Sequence, residues 1–360
     1  MASQTLSQGD RQGSFQRMMV YCHDSVGLGH LRRSLAICEH LAGGFPTASF
    51  LLATGTPYVP LFKLPAGVDF VKLPSLAKNP DGTYEAKTLG LKIGHLLACR
   101  RALLLATVKY FRPTVFLVDK APLGVCREMI PTLKWIQRNC PETRVVFGMR
   151  DIEDSPETTI RQWTADGVVD LLEDCFDEIW VYGMESVYDV VREYQLSKGV
   201  QKKLRYTGYI KRRACEHEAT RRAGESGGNV LVTVGGGTDG ESLLRTYFAD
   251  AVHRVARQGG RSTIIGGPDL PPSIAGELRH TVAELPNTTW LDQTGCMSCH
   301  MKSADTIVSM GGYNNFCEIL SFDKRALIVP RTEPRREQLI RASRAQELGL
   351  LTMLRGDGER

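Results

Sequence analysis

No uninterrupted apolar run in this 360-residue sequence approaches the ~18 residues that a membrane helix requires. The first 16 residues, MASQTLSQGDRQGSFQ, lack the apolar core of a signal peptide and read as a polar tail. The ten cysteines are scattered without a disulfide framework, so they read mostly as small buried hydrophobes of a cytoplasmic protein. Charge of one sign is also scarce. A net charge of +5 is modest for this length, and the basic cluster Arg331 to Arg344, with no interleaved aromatics for stacking on bases, reads as a rim for a nucleotide diphosphate, so no nucleic-acid partner is expected. No Gly-Lys-Ser/Thr follows a glycine loop, and GLGHLR at 27–32 lacks the third glycine of a dinucleotide fingerprint. No placed Asp-x-Asp pair offers a divalent metal site. Cys296-Met297-Ser298-Cys299-His300 matches a haem-attachment string, but without an export signal or further zinc ligands it reads as part of a packing helix.

What is present is alternation. With 42% hydrophobic and 24% charged residues, the chain is long enough for two domains that each bury a core. Apolar segments at 17–23, 48–53, 68–73, 114–118, 144–149 and 177–182 read as strands. Helical patterns at 87–111, 123–139, 156–173 and 185–194 separate several of them. Strands apolar on both faces and spaced by helices imply a parallel sheet covered on both sides. The charged, glycine-tailed stretch 211–228 then reads as a linker. A second series follows: a strand from Asn229, the loop Gly235-Gly236-Gly237-Thr238-Asp239-Gly240, a helix to about Arg257, and strands near 262–266, 287–291, 305–309 and 326–329. The expected fold is α/β, with two doubly wound Rossmann-like domains facing across a cleft. The expected bounds are a 1–16 tail, a 17–210 domain, a 211–228 linker and a 229–360 domain.

Residues 305–340 carry the clearest chemistry. A buried strand ends at Ser309, Gly311-Gly312 turn the chain, and a short helix runs from Asn314 to Ser321 before the strand that ends at Pro330. Free amides and the positive end of a helix dipole there suit a phosphate. Glu318 lies one turn into the helix, within reach of a ribose. Gln338 opens the next helix, after a loop with Arg331, Arg335 and Arg336. In the first half, GLGH at 27–30 joins the first strand to its helix. His30 at that helix start should stay neutral, because the dipole opposes the imidazolium, and a neutral imidazole in a cleft can take a proton. The alternative is a helix cap that bonds only backbone or phosphate. Asp24, on the same loop, and Asp119, at the end of TVFLVD, are competing bases, as Arg150-Asp151 are further strand-end candidates. An Asp in such a position can equally cap a helix.

Gly311 to Glu318, followed by Val329-Pro330 and Glu337-Gln338, resembles the donor-binding half of GT-B glycosyltransferases, the MurG type among the well-known ones, and of a group of predicted bacterial glycosyltransferases. The likeness runs over roughly residues 18 to 350. It implies that Gly27, Leu28, Gly29 and His30 line the cleft, and that Gly236, Gly237 and Thr238 approach the diphosphate, with Gly237 where the MurG type has a serine. Arg212 would neutralise the leaving diphosphate, and the main chain at Leu291 would read the uracil edge. By the same resemblance Glu318 holds the ribose, and Glu337 and Gln338 touch the sugar hydroxyls. Tyr313, Asn314 and Asn315 depart from the MurG-type helix start. The implied activity is an inverting, metal-independent transfer from a nucleotide-diphosphate sugar, a UDP-sugar first, to an acceptor hydroxyl of a small molecule or lipid-linked glycan. No cofactor beyond that co-substrate is implied. The base would be His30, then Asp119 or Asp24. A nucleotide-sugar epimerase and a non-catalytic sugar-nucleotide-binding subunit share the same architecture. The MurG type uses the region matching 87–111 for membrane surface contact, which would suit a lipid-linked acceptor and a location at most peripheral to the inner membrane face; the segment itself reads rather as a core-packing helix whose basic residues, Lys92, Arg100, Arg101 and Lys109, are solvated. No long final helix that would cross back onto the first domain is evident after Leu350, so the chain reads as truncated or as a shorter variant.

Overall fold

The computed structural model describes residues 16–23, 29–79, 82–213 and 228–354. Residues 1–15 of the expected tail, most of the expected linker and the last six residues fall outside them. Two sheets organise the chain. The first is built from β1 (Arg17–Cys22), β2 (Ser49–Thr54), β3 (Val68–Lys72), β6 (Val115–Asp119), β7 (Arg144–Arg150), β8 (Glu178–Tyr182) and β9 (Leu204–Tyr206), in the order β3-β2-β1-β6-β7-β8-β9. A small antiparallel hairpin, β4 (Leu76–Lys78) with β5 (Tyr84–Ala86), stands beside it. The second sheet holds β10 (Asn229–Thr233), β11 (Arg261–Ile265), β12 (Thr288–Leu291), β13 (Thr306–Ser309), β14 (Arg325–Ile328) and β15 (Thr352–Met353), in the order β12-β11-β10-β13-β14-β15. Every pairing in both large sheets is parallel.

The reason is visible in β1. Met19 and Tyr21 enter one core with Phe116, Val118, Phe147 and Met149, while Met18, Val20 and Cys22 enter another with Leu117 and Val146. Successive side chains thus serve opposite faces, and both faces must be covered by helices. The strand order reverses beside β1 and beside β10, which leaves a crevice at the carboxyl edge of each sheet. At that edge Cys22 pairs with Thr54 and with Asp119, and in the second sheet Thr233 pairs with Ile265 and Ser309. Gly148, near the end of β7, is obligatory for packing, because a Cβ there would meet the Tyr182 hydroxyl at 1.9 Å.

Several helical expectations need correction. Residues 87–92 are not helical and the helix runs Ile93–Phe111, because β5 and a polar turn precede it. The 123–139 segment is a short 3-10 turn, Val125–Arg127, and then a helix, Ile130–Asn139, separated where Cys126 and Arg127 take positive φ. The 156–173 pattern divides at left-handed Gly167 into Pro156–Asp166 and Val168–Cys175. Only Val190–Glu193 of 185–194 is helical, started by the Asp189 cap. The helix after β10 begins late, at Glu241, and reaches Arg257 through a wider π-type turn at Tyr247–Ala251. Cysteine use also differs from expectation. Cys22, Cys38, Cys140 and Cys317 are buried thiols, but Cys99 and Cys126 are exposed, and Cys296 and Cys299 form a disulfide at the start of the helix Met297–Ser303. Among the described residues no helix is long and apolar enough to cross a membrane.

Arg100 corrects another expectation, that the basic residues of Ile93–Phe111 are solvated. It is 1% exposed and forms a two-pronged pair with Glu128, Nε to Oε2 at 2.7 Å and Nη2 to Oε1 at 2.6 Å, while Tyr21 donates to Oε1 at 2.7 Å. Removing one partner of such a pair strands the other charge in the core. Glu128→Ala should therefore lower unfolding free energy by about 3–5 kcal/mol in denaturant titration. The double variant Arg100→Met/Glu128→Leu should be markedly more stable than the single one; equal stability of the two would contradict the pairing.

Candidate active site

His30 sits in the first turn of the helix Gly29–Gly44, at the carboxyl edge of the first sheet. Its Nδ1 lies 3.0 Å from Asp119 Oδ2 at the end of the neighbouring strand β6. One helical turn on, Arg33 donates to both oxygens of the same carboxylate, Nε to Oδ1 at 2.9 Å and Nη2 to Oδ2 at 2.6 Å. The i, i+3 spacing puts His30 and Arg33 on one helix face, so both reach the same acid. Asp119 is fully buried. Burial alone would raise its pKa, but the Arg33 guanidinium and the His30 hydrogen bond hold it well below the ordinary carboxylate range. Asp119 in turn raises Arg33, against the effect of burial. Burial lowers His30 to about 4 and the Arg33 charge adds to this, outweighing the pull of Asp119. The imidazole is consequently neutral at physiological pH. Arg33 Nη2 also lies 2.9 Å from His30 Nδ1. An ionised Asp119 requires a proton on Nδ1, whereas Arg33 would require a lone pair there; Asp119 and Arg33 thus make opposite demands on the tautomer. With the proton on Nδ1, Nε2 keeps its lone pair.

The second half meets this helix directly. After β13, Gly311 turns the chain at φ +77°, where a Cβ would also meet Ile328 Cγ2 at 2.7 Å. Gly312 then caps the helix Tyr313–Ser321 without a side-chain bond, and the first amides of a helix have no partner within it. Asn314 donates from Nδ2 to the Gly29 carbonyl at 2.8 Å and accepts from Arg212 Nη2 at 2.6 Å. Arg212 Nη1 donates to the Arg32 carbonyl at 2.8 Å. Arg32 itself forms an ion pair with Glu318, which is fully buried, and Glu318 Oε2 has no partner. The carboxylate expected to hold a ribose is therefore engaged by an arginine from the opposite half. Arg212 likewise serves the seam between the halves. Tyr313 donates to the Tyr182 carbonyl at 2.8 Å, and Asn315, two positions on, is also buried.

A second group lies along the rim. Arg331 donates to Glu337 Oε1 at 2.7 Å and to Asp239 Oδ2 at 2.5 Å, and its backbone N–H donates to Gln338 Oε1 at 3.3 Å. This brings Glu337 and Gln338 to the glycine loop that holds Gly236, Gly237 and exposed Thr238. Gly237, at φ +103°, packs so closely on the loop after β11 that a Cβ would meet the Gly266 carbonyl at 2.5 Å. Leu291 ends β12, separated from β13 by β11 and β10. Asp24, Gly27 and Leu28 lie outside the described residues.

Sequence reasoning missed three arginines. Arg32 and Arg33 follow GLGH directly, and their signal was the i, i+3 spacing from Gly29 and His30. Arg341 donates to both Asp151 oxygens at 2.7 Å, and Tyr209 donates to Oδ2 at 3.2 Å. Asp151 is thus a buried anchor between the halves, and not a helix cap. The same helix, Glu337–Glu347, sends Arg344 Nε to the Val187 carbonyl at 3.1 Å.

Because the folded pKa of His30 is about 4 and the unfolded value about 6.5, the unfolded state binds the extra proton between these limits. Stability should fall as pH drops from about 6.5 to about 4. His30→Gln should flatten that slope by close to one proton in a urea-midpoint series. An unchanged slope would show that His30 titrates normally in the folded protein.

No family model matches the sequence, and no curated protein matches it. The folded chain is similar to many solved structures. Acinetobacter baumannii MurG superposes with a TM-score of 0.55 at 10% identity, over 96% of this chain and 87% of that one. Phytolacca americana UGT2, complexed with UDP-2-fluoro-glucose and pterostilbene, gives 0.58 at 14% identity, over 94% and 85%. A Listeria monocytogenes protein assigned as a UDP-N-acetylglucosamine 2-epimerase gives 0.61 at 8% identity, over 94% and 84%. At such identities the likeness speaks for architecture: the chain has the GT-B fold, two Rossmann-like halves of parallel sheet.

Proposed function

We propose that the protein is an inverting glycosyltransferase that moves a sugar from a nucleotide-diphosphate donor to an acceptor hydroxyl. The observation that carries this reading is the neutral His30 hydrogen-bonded to buried Asp119, at the carboxyl edge of a GT-B sheet. In the Nδ1–H tautomer, Nε2 accepts the acceptor's hydroxyl proton as its oxygen attacks the anomeric carbon. Asp119, both of whose oxygens are held by Arg33 and one by His30, orients the imidazole and stabilises the imidazolium that forms. This makes Asp119 a poor proton acceptor itself. The nucleoside diphosphate leaves from the opposite face. Its charge is met by the amides at the start of the helix Tyr313–Ser321 and by the loop Gly236–Thr238. In this reading a ribose displaces Arg32 from Glu318, and Glu337 and Gln338 face the sugar. UDP is the favoured nucleotide, in line with the UDP-sugar held by the Phytolacca protein.

A second reading is kept because of the Listeria structure: an epimerase acting on the donor alone. NMR of a UDP-N-acetylglucosamine incubation without acceptor separates the two, since only an epimerase yields a new sugar-nucleotide isomer. A subunit that only binds sugar nucleotides would bind UDP and never release it from a UDP-sugar. In a thermal-shift panel UDP should exceed TDP and GDP; a larger shift with either of those would overturn the donor assignment. Once a transfer assay is in hand, His30→Gln should lower kcat about 10²–10⁴-fold while UDP affinity stays near that of the parent. Retained turnover would remove His30 as base.

A further inference from the structure

A cluster of cations beside the dyad has no role in the mechanism above. Lys120 follows Asp119 directly, in a left-handed conformation at φ +66°, with its backbone N–H donating to the Gly148 carbonyl at 2.7 Å. Its Nζ lies 3.3 Å from Glu153 Oε2, and Arg150 Nη2 lies 3.5 Å from the same oxygen. The two side chains are only 13% and 12% exposed. Among the described residues Arg150 Nε and Nη2, both buried, have no hydrogen-bond acceptor, and His23 Nδ1, in the field of Lys120, has no partner there either. Arg335, from the loop of the second half, adds its charge to the field felt by Lys120 and Glu153. That loop is pinned over the site by Arg336, whose backbone N–H donates to Asp154 Oδ1 at 2.9 Å. Asp154 is also bonded by the Ser155 N–H, so it faces its own loop. Among the described residues Lys120 and Arg150 thus converge on Glu153, within the field of Arg335.

Buried donors without acceptors are costly unless something fills them. The electrostatics agree: burial, together with Arg150 and Arg335, lowers Lys120 to about 7 in spite of Glu153. An anion placed among the three would satisfy the Arg150 N–H groups and raise Lys120 again. The donor's anion-binding loops belong to the second sheet, whereas Lys120 follows β6 and Arg150 ends β7 of the first. We propose that Lys120, Arg150 and Arg335 form an anion subsite for the acceptor, so that the hydroxyl delivered to His30 belongs to a molecule bearing a phosphate or carboxylate. This rests on the glycosyltransferase reading for the word acceptor; the anion site itself does not.

The test is calorimetric titration of the full chain with methyl phosphate and, separately, acetate, each with and without saturating UDP. One of the two anions should bind with UDP present, and whichever binds names the group. Affinity should fall at least tenfold in Lys120→Met and in Arg150→Met, and several-fold in Arg335→Ala, a change at a half-buried residue of an exposed loop that spares the core. UDP affinity should be unchanged in all three. Loss of anion binding once UDP is saturating would assign the cations to the donor and overturn the proposal. So would unaltered affinity in Arg335→Ala together with either folded core variant, or no binding of either anion. The titration needs no turnover, so a chain that binds methyl phosphate beside UDP yet transfers no sugar would count against the functional reading and for the anion subsite.

Discussion

Asp119 is an ionised carboxylate with no access to water, and the site is built around keeping it so. Desolvation of a lone carboxylate would drive it to its neutral form. Arg33 prevents this with two short bonds, and His30 takes the remaining direction. In return the acid fixes the helix Gly29–Gly44 against β6, which sets where the imidazole points. Position, protonation state and orientation of His30 all follow from that one buried charge. Burial first, and the Arg33 charge with it, keep the imidazolium unfavourable.

The same solution recurs along the seam. Asp151 with Arg341, and Glu318 with Arg32, join a residue of one half to a residue of the other, all largely out of solvent. Such pairs add little net stability compared with apolar contacts, but they are demanding about geometry, because a misplaced partner leaves a bare charge. They therefore serve register more than adhesion. Glu318 shows the other side of this economy: one of its oxygens is satisfied by Arg32 and the other by nothing.

Much of the fold was legible because doubly wound sheets advertise themselves. The runs RMMVYC, VFLVD and RVVFGM are apolar at successive positions, and only strands covered on both faces use that pattern. The glycine turns were legible for a related reason, since Gly311 and Gly237 occupy backbone conformations and contacts that a side chain would not allow. Helix limits were not legible where a single residue decides them, as at Gly167 or at Cys126. Nor could the seam be read. Arg32, Arg33, Arg100 and Arg341 look like ordinary surface cations in a sequence, and what buries each is an acid 28 to 286 positions away. The neutral state of His30 was anticipated from the helix dipole, but its depressed basicity comes chiefly from burial and then from Arg33.

Tyr313 and Cys317 belong to the helix that follows β13, yet they are buried in the core beneath β1 with Met18, Val20 and Leu31. The interior of the first half is therefore completed by the second, and the two halves share a continuous apolar filling at that point. A hinge motion that parted them completely would have to pull an aromatic ring and a thiol out of oil and into water. Opening for substrate is cheaper at the loops, by rearranging the arginine-bearing turn 331–336 or the glycine loop that it touches, than by swinging whole lobes. The architecture favours a vestibule with movable edges over a pair of jaws.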